Sequence, residues 1–335
     1  MPIGREKPGE ERSSPWAVHL FGKFMARAGN TLLERLPGRR TKELLGYLLL
    51  FRERPHHREV LAGTLWPESS TPQSRKYLRQ GLWHLGAPDR ADGKLAPLLT
   101  ADAEWVQANR TSLWLDVAEL EEAFAPVKLV PGERLDAEQA TSLKKVVPLY
   151  AGDVLEGCYQ DWCVYERERL KALYISLLEK LLGYCETRGE LEEGLIYGEK
   201  LLQNDRAHER AHWRLMRLRY LAGDRTGALR QFERCREALS EELGVAPGER
   251  IGALYDKIRV DGGLDAPTGP LTSAAVPEDM APANFWHPSG PGRADAVAGR
   301  ELDLATAPLH QALRALRLAG KLVEQSLQAA QQHDQ

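Results

Sequence analysis

This sequence predicts a mainly α-helical protein with a few short β-strands near its N-terminus. Three observations carry the prediction. Two helical hairpins between 161 and 259 repeat each other at a spacing of 34 residues, the segment before them runs strand, three helices and further extended pieces, and a stretch rich in Pro, Gly and Ala separates both from a last apolar-striped segment.

The repeat is the clearest of the three. Gly189 and Gly223 stand 34 residues apart, and at the same offset Leu181 falls on Leu215, Glu190 on Asp224, Leu195 on Leu229 and Glu199 on Glu233. That period, with a glycine closing one helix and a small residue (Gly194, Ala228) early in the next, is the pattern of tetratricopeptide repeats. Leu215, Tyr220, Gly223, Ala228 and Phe232 complete the second copy, whereas the first has Gly198 in place of Phe232. Two repeats cannot bury a continuous core alone, so helices over 137–149 and 247–259 are expected to cap them.

The 335 residues suffice for two ordinary domains plus tails, and 43% hydrophobic with 28% charged residues is a globular composition. No apolar run approaches the roughly 20 residues needed to cross a bilayer. Residues 1–15 carry charges and prolines instead of an apolar signal core, so the expectation is a disordered arm on a cytoplasmic, nucleoid-associated protein. Cys158, Cys163, Cys185 and Cys235 form no C-x-x-C pair. In helices such thiols serve as small hydrophobes. Over 16–117 there are 15 Lys and Arg against 10 Asp and Glu, which leaves −8 for the rest of a chain whose total is −3. A basic first part on an acidic remainder points to an anionic partner for the first part.

Taken in order, 16–28 alternates apolar and polar residues and reads as one strand ending near Gly29-Asn30, with 32–36 pairing back. Leucines at 44, 45, 48 and 49 stripe a helix over 39–51, which Pro55 ends. A short helix over 57–65 follows, then a third that starts at the caps Ser69-Ser70-Thr71 and runs to Leu85. Extended pieces at 98–100, 105–108 and 113–115 come next. Strands, three helices and a terminal hairpin are the element order of a winged helix-turn-helix, whose third helix enters the DNA major groove. On that helix Leu78, Leu82 and Leu85 form the buried stripe, bordered by Ser74 and Gly81. Gln73, Lys76, Arg79, Gln80 and Trp83 then face away, long donors suited to base edges and phosphates, with Arg39, Arg40 and the wing residue Arg110 as further phosphate contacts.

Beyond 115, helices are expected over 116–122, from Asp136 or Ala137 to 149, and over 162–187 with Asp161 as cap. The resulting domains are a winged helix over 16–115, a repeat domain over 116–259, a Pro/Gly/Ala-rich linker over 260–300 and an amphipathic C-terminal helix over 301–335. In the last, Leu309, Leu313, Leu316, Gly320, Val323, Leu327 and Ala330 alternate spacings of four and three, a short heptad seam.

Several stretches together resemble the bacterial transcriptional activators related to the antibiotic regulatory proteins of actinomycetes (the SARP family), which join a response-regulator-type winged helix to a bacterial transcriptional activation domain. They are the run from Pro37 to Leu45, Leu65-Trp66-Pro67, the run from Tyr150 to Leu155 with Trp162 and Glu166-Arg167, Glu209 through Met216, Gly223 through Phe232, and Glu242 through Pro247. The resemblance spans 16–259. It implies promoter DNA and RNA polymerase as partners; a second copy on DNA and a small-molecule or peptide effector in the repeats stay open. Relatives carry basic pairs late in the reading helix where this chain has Leu82-Trp83-His84-Leu85. A phosphate-cradling G-x-x-x-x-G-K-[S/T] loop is absent, so no nucleotide cofactor is expected.

Two other readings compete. His208-Glu209-Arg210-Ala211-His212 is a literal H-E-x-x-H, whose spacing on a helix lets two imidazoles share zinc with Glu209 as general base and Glu233 as a third ligand. The same helix must spend the His212 face on its neighbour, so the expectation is no metal, no catalytic residue and no enzyme. Alternatively, Trp162, Tyr165, Tyr174, Tyr184, Trp213 and Tyr220 line a groove in a repeat adaptor or ligand sensor that does not bind DNA, though core positions explain most of them.

Overall fold

The computed structural model describes residues 16–28, 31–33, 38–86, 98–110 and 113–263. The arm over 1–15, most of the linker and the C-terminal helix over 301–335 lie outside these residues. Strand β1 (Trp16–His19) pairs antiparallel with β2 (Met25–Ala28), Trp16 opposite Ala28 and His19 opposite Met25. This corrects the single strand expected over 16–28. Leu20, Phe21 and Phe24 are all buried, so apolar spacing continues through the connection while Gly22, at φ +68°, lets the chain reverse. β3 (Thr31–Leu33) pairs back on β2.

Three helices follow: α1 (Arg39–Leu50), α2 (Arg58–Leu65) after the two-residue strand β4 (His56–His57), and α3 (Thr71–Gly86). α1 and α3 meet closely at Gly81, where an added Cβ would lie 2.7 Å from Leu44 Cδ2. The terminal hairpin is β5 (Leu99–Ala101) with β6 (Trp105–Ala108), and β6 also pairs with β4. The third extended piece, β7 (Leu113–Leu115), is not part of it. It lies parallel to β1, so the first sheet runs β3-β2-β1-β7.

β7 leads directly into α4 (Asp116–Phe124). After a 3-10 turn at Gly132–Arg134 comes α5 (Ala137–Val146), opened by a capping box in which Asp136 and Gln139 each accept the other's backbone N–H. The long α6 (Asp161–Arg188) has Gln160 at its N-cap position without a side-chain cap bond, and Asp161 is its first residue instead of the expected cap. α7 (Leu191–Asn204), α8 (Glu209–Leu221), α9 (Arg225–Leu243) and α10 (Glu249–Arg259) complete the described chain. Gly189 and Gly223 both have positive φ, +72° and +80°, which explains why the 34-residue spacing is marked by glycine. Gly198 departs from the repeat pattern for a packing reason: an added Cβ there would lie 2.5 Å from Leu215 Cδ2, so α7 and α8 approach too closely for a side chain.

One apolar core runs from Trp16 through Leu120 and Leu155 to Leu218 without a break at residue 115. A second, smaller one lies under α8, α9 and α10 around Met216, Cys235 and Ile251. The four cysteines are free and buried. Among the described residues no helix is long and apolar enough to cross a membrane.

Candidate nucleic-acid interface

α3 presents two unlike sides. Ser74, Leu78, Gly81 and Leu85 are buried and Leu82 is half-buried, while Lys76, Arg79, Gln80 and Trp83 are exposed and Gln73 is partly so. Among the described residues Lys76 and Arg79 make no ion pair, so both charges face solvent. The neighbouring Arg75, by contrast, is spent on Glu59.

α1 joins this face through Arg40, whose guanidinium lies 3.6 Å above the Tyr77 ring. Gly38 and the first-turn residues Arg39, Arg40 and Thr41 of α1, with Tyr77, Gln80, Gly81 and His84 of α3, line a cleft of about 390 Å³. Gly38 supplies no side chain to cap the helix, so no side-chain cap bond satisfies the N–H groups of its first turn. Arg39 is tied to Glu43, with Nε 2.6 Å from Oε1, although its own side chain is largely exposed. Arg110 is tied to Glu53. The sequence therefore brings Arg39, Arg40 and Gln80 to one cleft and leaves Arg110 ion-paired at the wing. Tyr77 and His84 were missed; their spacing from Gln80, at i−3 and i+4, was the available signal.

Behind this face the bend at 153–160 holds the winged helix against the repeats. The buried Asp116 carboxylate accepts N–H groups of Leu20 (2.8 Å), Phe21 (3.0 Å) and Val117 (2.8 Å). Burial pushes its pKa up despite these bonds. Leu155 N–H donates to Leu20 O at 2.8 Å and Gly22 N–H to Asp153 O at 2.9 Å. Gln160 Nε2 donates to Glu43 Oε2 (3.1 Å) and to Leu65 O (2.8 Å), and Lys42 Nζ to Glu156 O (3.1 Å). Tyr47 of α1 and Phe51 just after it pack edge-on to Trp162.

The H-E-x-x-H residues are occupied by the fold. His208 Nδ1 accepts the Ala211 N–H and caps α8, and Glu209 accepts the Gly248 N–H. His212 is buried, with Nε2–H donating to Arg206 O at 2.9 Å and Nδ1 accepting from Gln231 Nε2 at 2.8 Å. Burial lowers its pKa and keeps it neutral, and neither nitrogen is left for a metal. Cys185, Glu190 and Glu193 also converge, but Lys144 ion-pairs with both glutamates. Of the six aromatic residues considered for a groove, Tyr174, Tyr184 and Trp213 are buried, Trp162 and Tyr220 are half-buried, and Tyr165 is exposed.

Comparison with known proteins bears directly on this architecture. Residues 115–259 match the bacterial transcriptional activator domain. That stretch of the chain, 115–259 of 335 residues, belongs to this family of domains. The family takes in α4 through α10, so the helical repeats described above are its activator domain. No curated protein matches. Among solved structures, Mycobacterium tuberculosis EmbR, in complex with a low-affinity phosphopeptide, is similar in fold, with a TM-score of 0.55 and 20% identity over 75% of this chain and 67% of that one.

Proposed function

We propose that this regulator binds promoter DNA through α3 and acts on RNA polymerase through its activator domain, without catalysing a reaction. The carrying observation is the solvent-facing row of Lys76, Arg79, Gln80 and Trp83, set beside the cleft formed with Arg39 and Arg40. Gln73 precedes the row on the same helix, and Arg110 takes a phosphate from the wing once DNA competes with Glu53. An exposed Arg–Glu pair contributes about 0–1 kcal/mol, so a phosphate displaces it readily. Donors of this length on one helical face reach both phosphates and base edges in a major groove.

On this reading the arm over 1–15, the winged helix over 16–115, the activator domain over 116–259, the linker over 260–300 and the helix over 301–335 are functional segments of a nucleoid-associated cytoplasmic protein. Mapping the sites it occupies in its host, followed by direct binding of the full chain to a recovered promoter fragment, tests the proposal. Enrichment at promoters with direct, salt-dependent binding is the expected result. Occupancy without direct DNA binding returns the protein to a repeat adaptor.

A further inference from the structure

An aromatic ring stands among the polar side chains on the outer face of α3. Lys76, Arg79, Gln80 and Trp83 are spaced i, i+3, i+4 and i+7, so they follow one line along the helix, and all four are exposed. A helix lying in a major groove holds four side chains against base edges at this same spacing. Along the axis Lys76 and Trp83 are about 10.5 Å apart, the rise of roughly three base-pair steps. Trp83 therefore meets a different base pair from Lys76.

The core does not hold this ring. Trp83 is 56% exposed, whereas Leu82 beside it is half-buried and Leu78 and Leu85 are buried. His84 lies against one side of it, with ring centroids 5.0 Å apart and planes at 64°. What an indole so placed recognises follows from the chemistry of the groove. It offers one donor, Nε1–H, and a broad apolar surface, but no acceptor for the amino groups of adenine or cytosine. Among the groups that base pairs display in the major groove, the apolar one is the C5-methyl of thymine. Arg79 and Gln80, one turn back, are the partners for the polar groups. Apolar wedges that enter between base steps work from the minor groove, where a reading helix does not lie.

We infer that Trp83 is a specificity-determining residue, selecting thymine at one position of the target site through contact of its indole face with the 5-methyl group. The inference rests on the promoter-binding reading of α3 and adds the identity of a base to it. Burying one methyl group is worth a factor of about four in affinity. Thymine is favoured over uracil at that position by about this factor, through apolar contact and without a hydrogen bond.

The test uses the full chain and a promoter fragment recovered from occupancy mapping, with each thymine of the protected site replaced singly by deoxyuridine. That change deletes the methyl group and leaves base pairing, phosphates and every donor and acceptor in place. The wild-type chain should lose about fourfold in affinity at one thymine. Trp83→Ala should bind the unmodified fragment more weakly, show no further loss at that thymine and keep the wild-type salt slope, since no cation is removed. Trp83→Phe should retain the methyl sensitivity. The inference is overturned if no thymine is methyl-sensitive in the wild-type chain, a result that does not depend on any variant folding. It is overturned equally if Trp83→Ala keeps the full loss at the sensitive thymine, which assigns the methyl contact to another side chain. A wild-type chain that does not bind the fragment overturns the promoter reading and this inference together, whereas binding that ignores the methyl groups overturns this inference alone.

Discussion

Leu155 occupies the space that a side chain on Gly46 would need. A Cβ at Gly46 would lie 2.5 Å from Leu155 Cδ1 and 2.8 Å from its Cδ2. Leu155 cannot retreat easily, because its backbone is held at φ +51°, a left-handed conformation rare for leucine, by the bond from its N–H to Leu20 O. One buried contact thus sets how α1 rests on the activator domain.

Gly46→Ala tests this contact. In an open helix the change would stabilise by about 1 kcal/mol through propensity. Overpacking against Leu155 should cost about 1–3 kcal/mol, so the net effect is destabilising. Thermal unfolding should show a lowered Tm, and a raised one would show that the bend yields.

The buried Arg214 is the centre of a second constraint. It ion-pairs with Glu186, Nη1 to Oε2 at 2.6 Å, and with Glu133 of the 3-10 turn, tying α6, that turn and α8 together. Arg214→Ala leaves Glu186 buried with only Arg217 beside it (2.8 Å). Removing one member of a buried pair costs about 3–5 kcal/mol, and Arg217 should hold the loss near the lower figure. Urea unfolding measures it.

Two histidines make stability fall in mild acid. Burial lowers the pKa of both His56 and His212 below the ordinary 6.5. The unfolded chain then binds more protons than the folded one between the two values, so stability rises with pH there. It should be complete above 6.5 and decline as the pH drops through 6.5 toward the folded-state values. Tm measured from pH 7.5 to 5 should fall, and His212→Gln, which cannot be protonated, should shrink the fall. An unchanged pH profile in that variant would assign the effect elsewhere.

The repeats were legible because they are local: a fixed spacing marked by glycines whose positive φ ends a helix needs no knowledge of distant partners. The buried and exposed sides of α3 were legible for the same reason, from periodicity alone. The turn at Gly22 was hidden because Leu20, Phe21 and Phe24 keep apolar spacing through it. Gly198 looked like a defect in the repeat until Leu215 was seen against it. The cleft depends on Arg40 reaching Tyr77, residues 37 positions apart that only packing brings together.

The central claim is that the exposed row of α3 meets DNA, and Lys76→Ala with Arg79→Ala tests it most directly. Both residues lie off the buried side, so folding should be intact by circular dichroism. Binding to a promoter recovered from occupancy mapping is measured for the full chain at two or more salt concentrations. Removing one phosphate-neutralising cation should reduce the slope of log affinity against log salt by roughly 0.9, and removing a bidentate hydrogen-bond pair to a base should cost about 1–3 kcal/mol. Weaker binding with a shallower salt slope, or with relaxed preference at one base position, is the predicted result. Unchanged affinity and slope in the folded double variant would contradict the account.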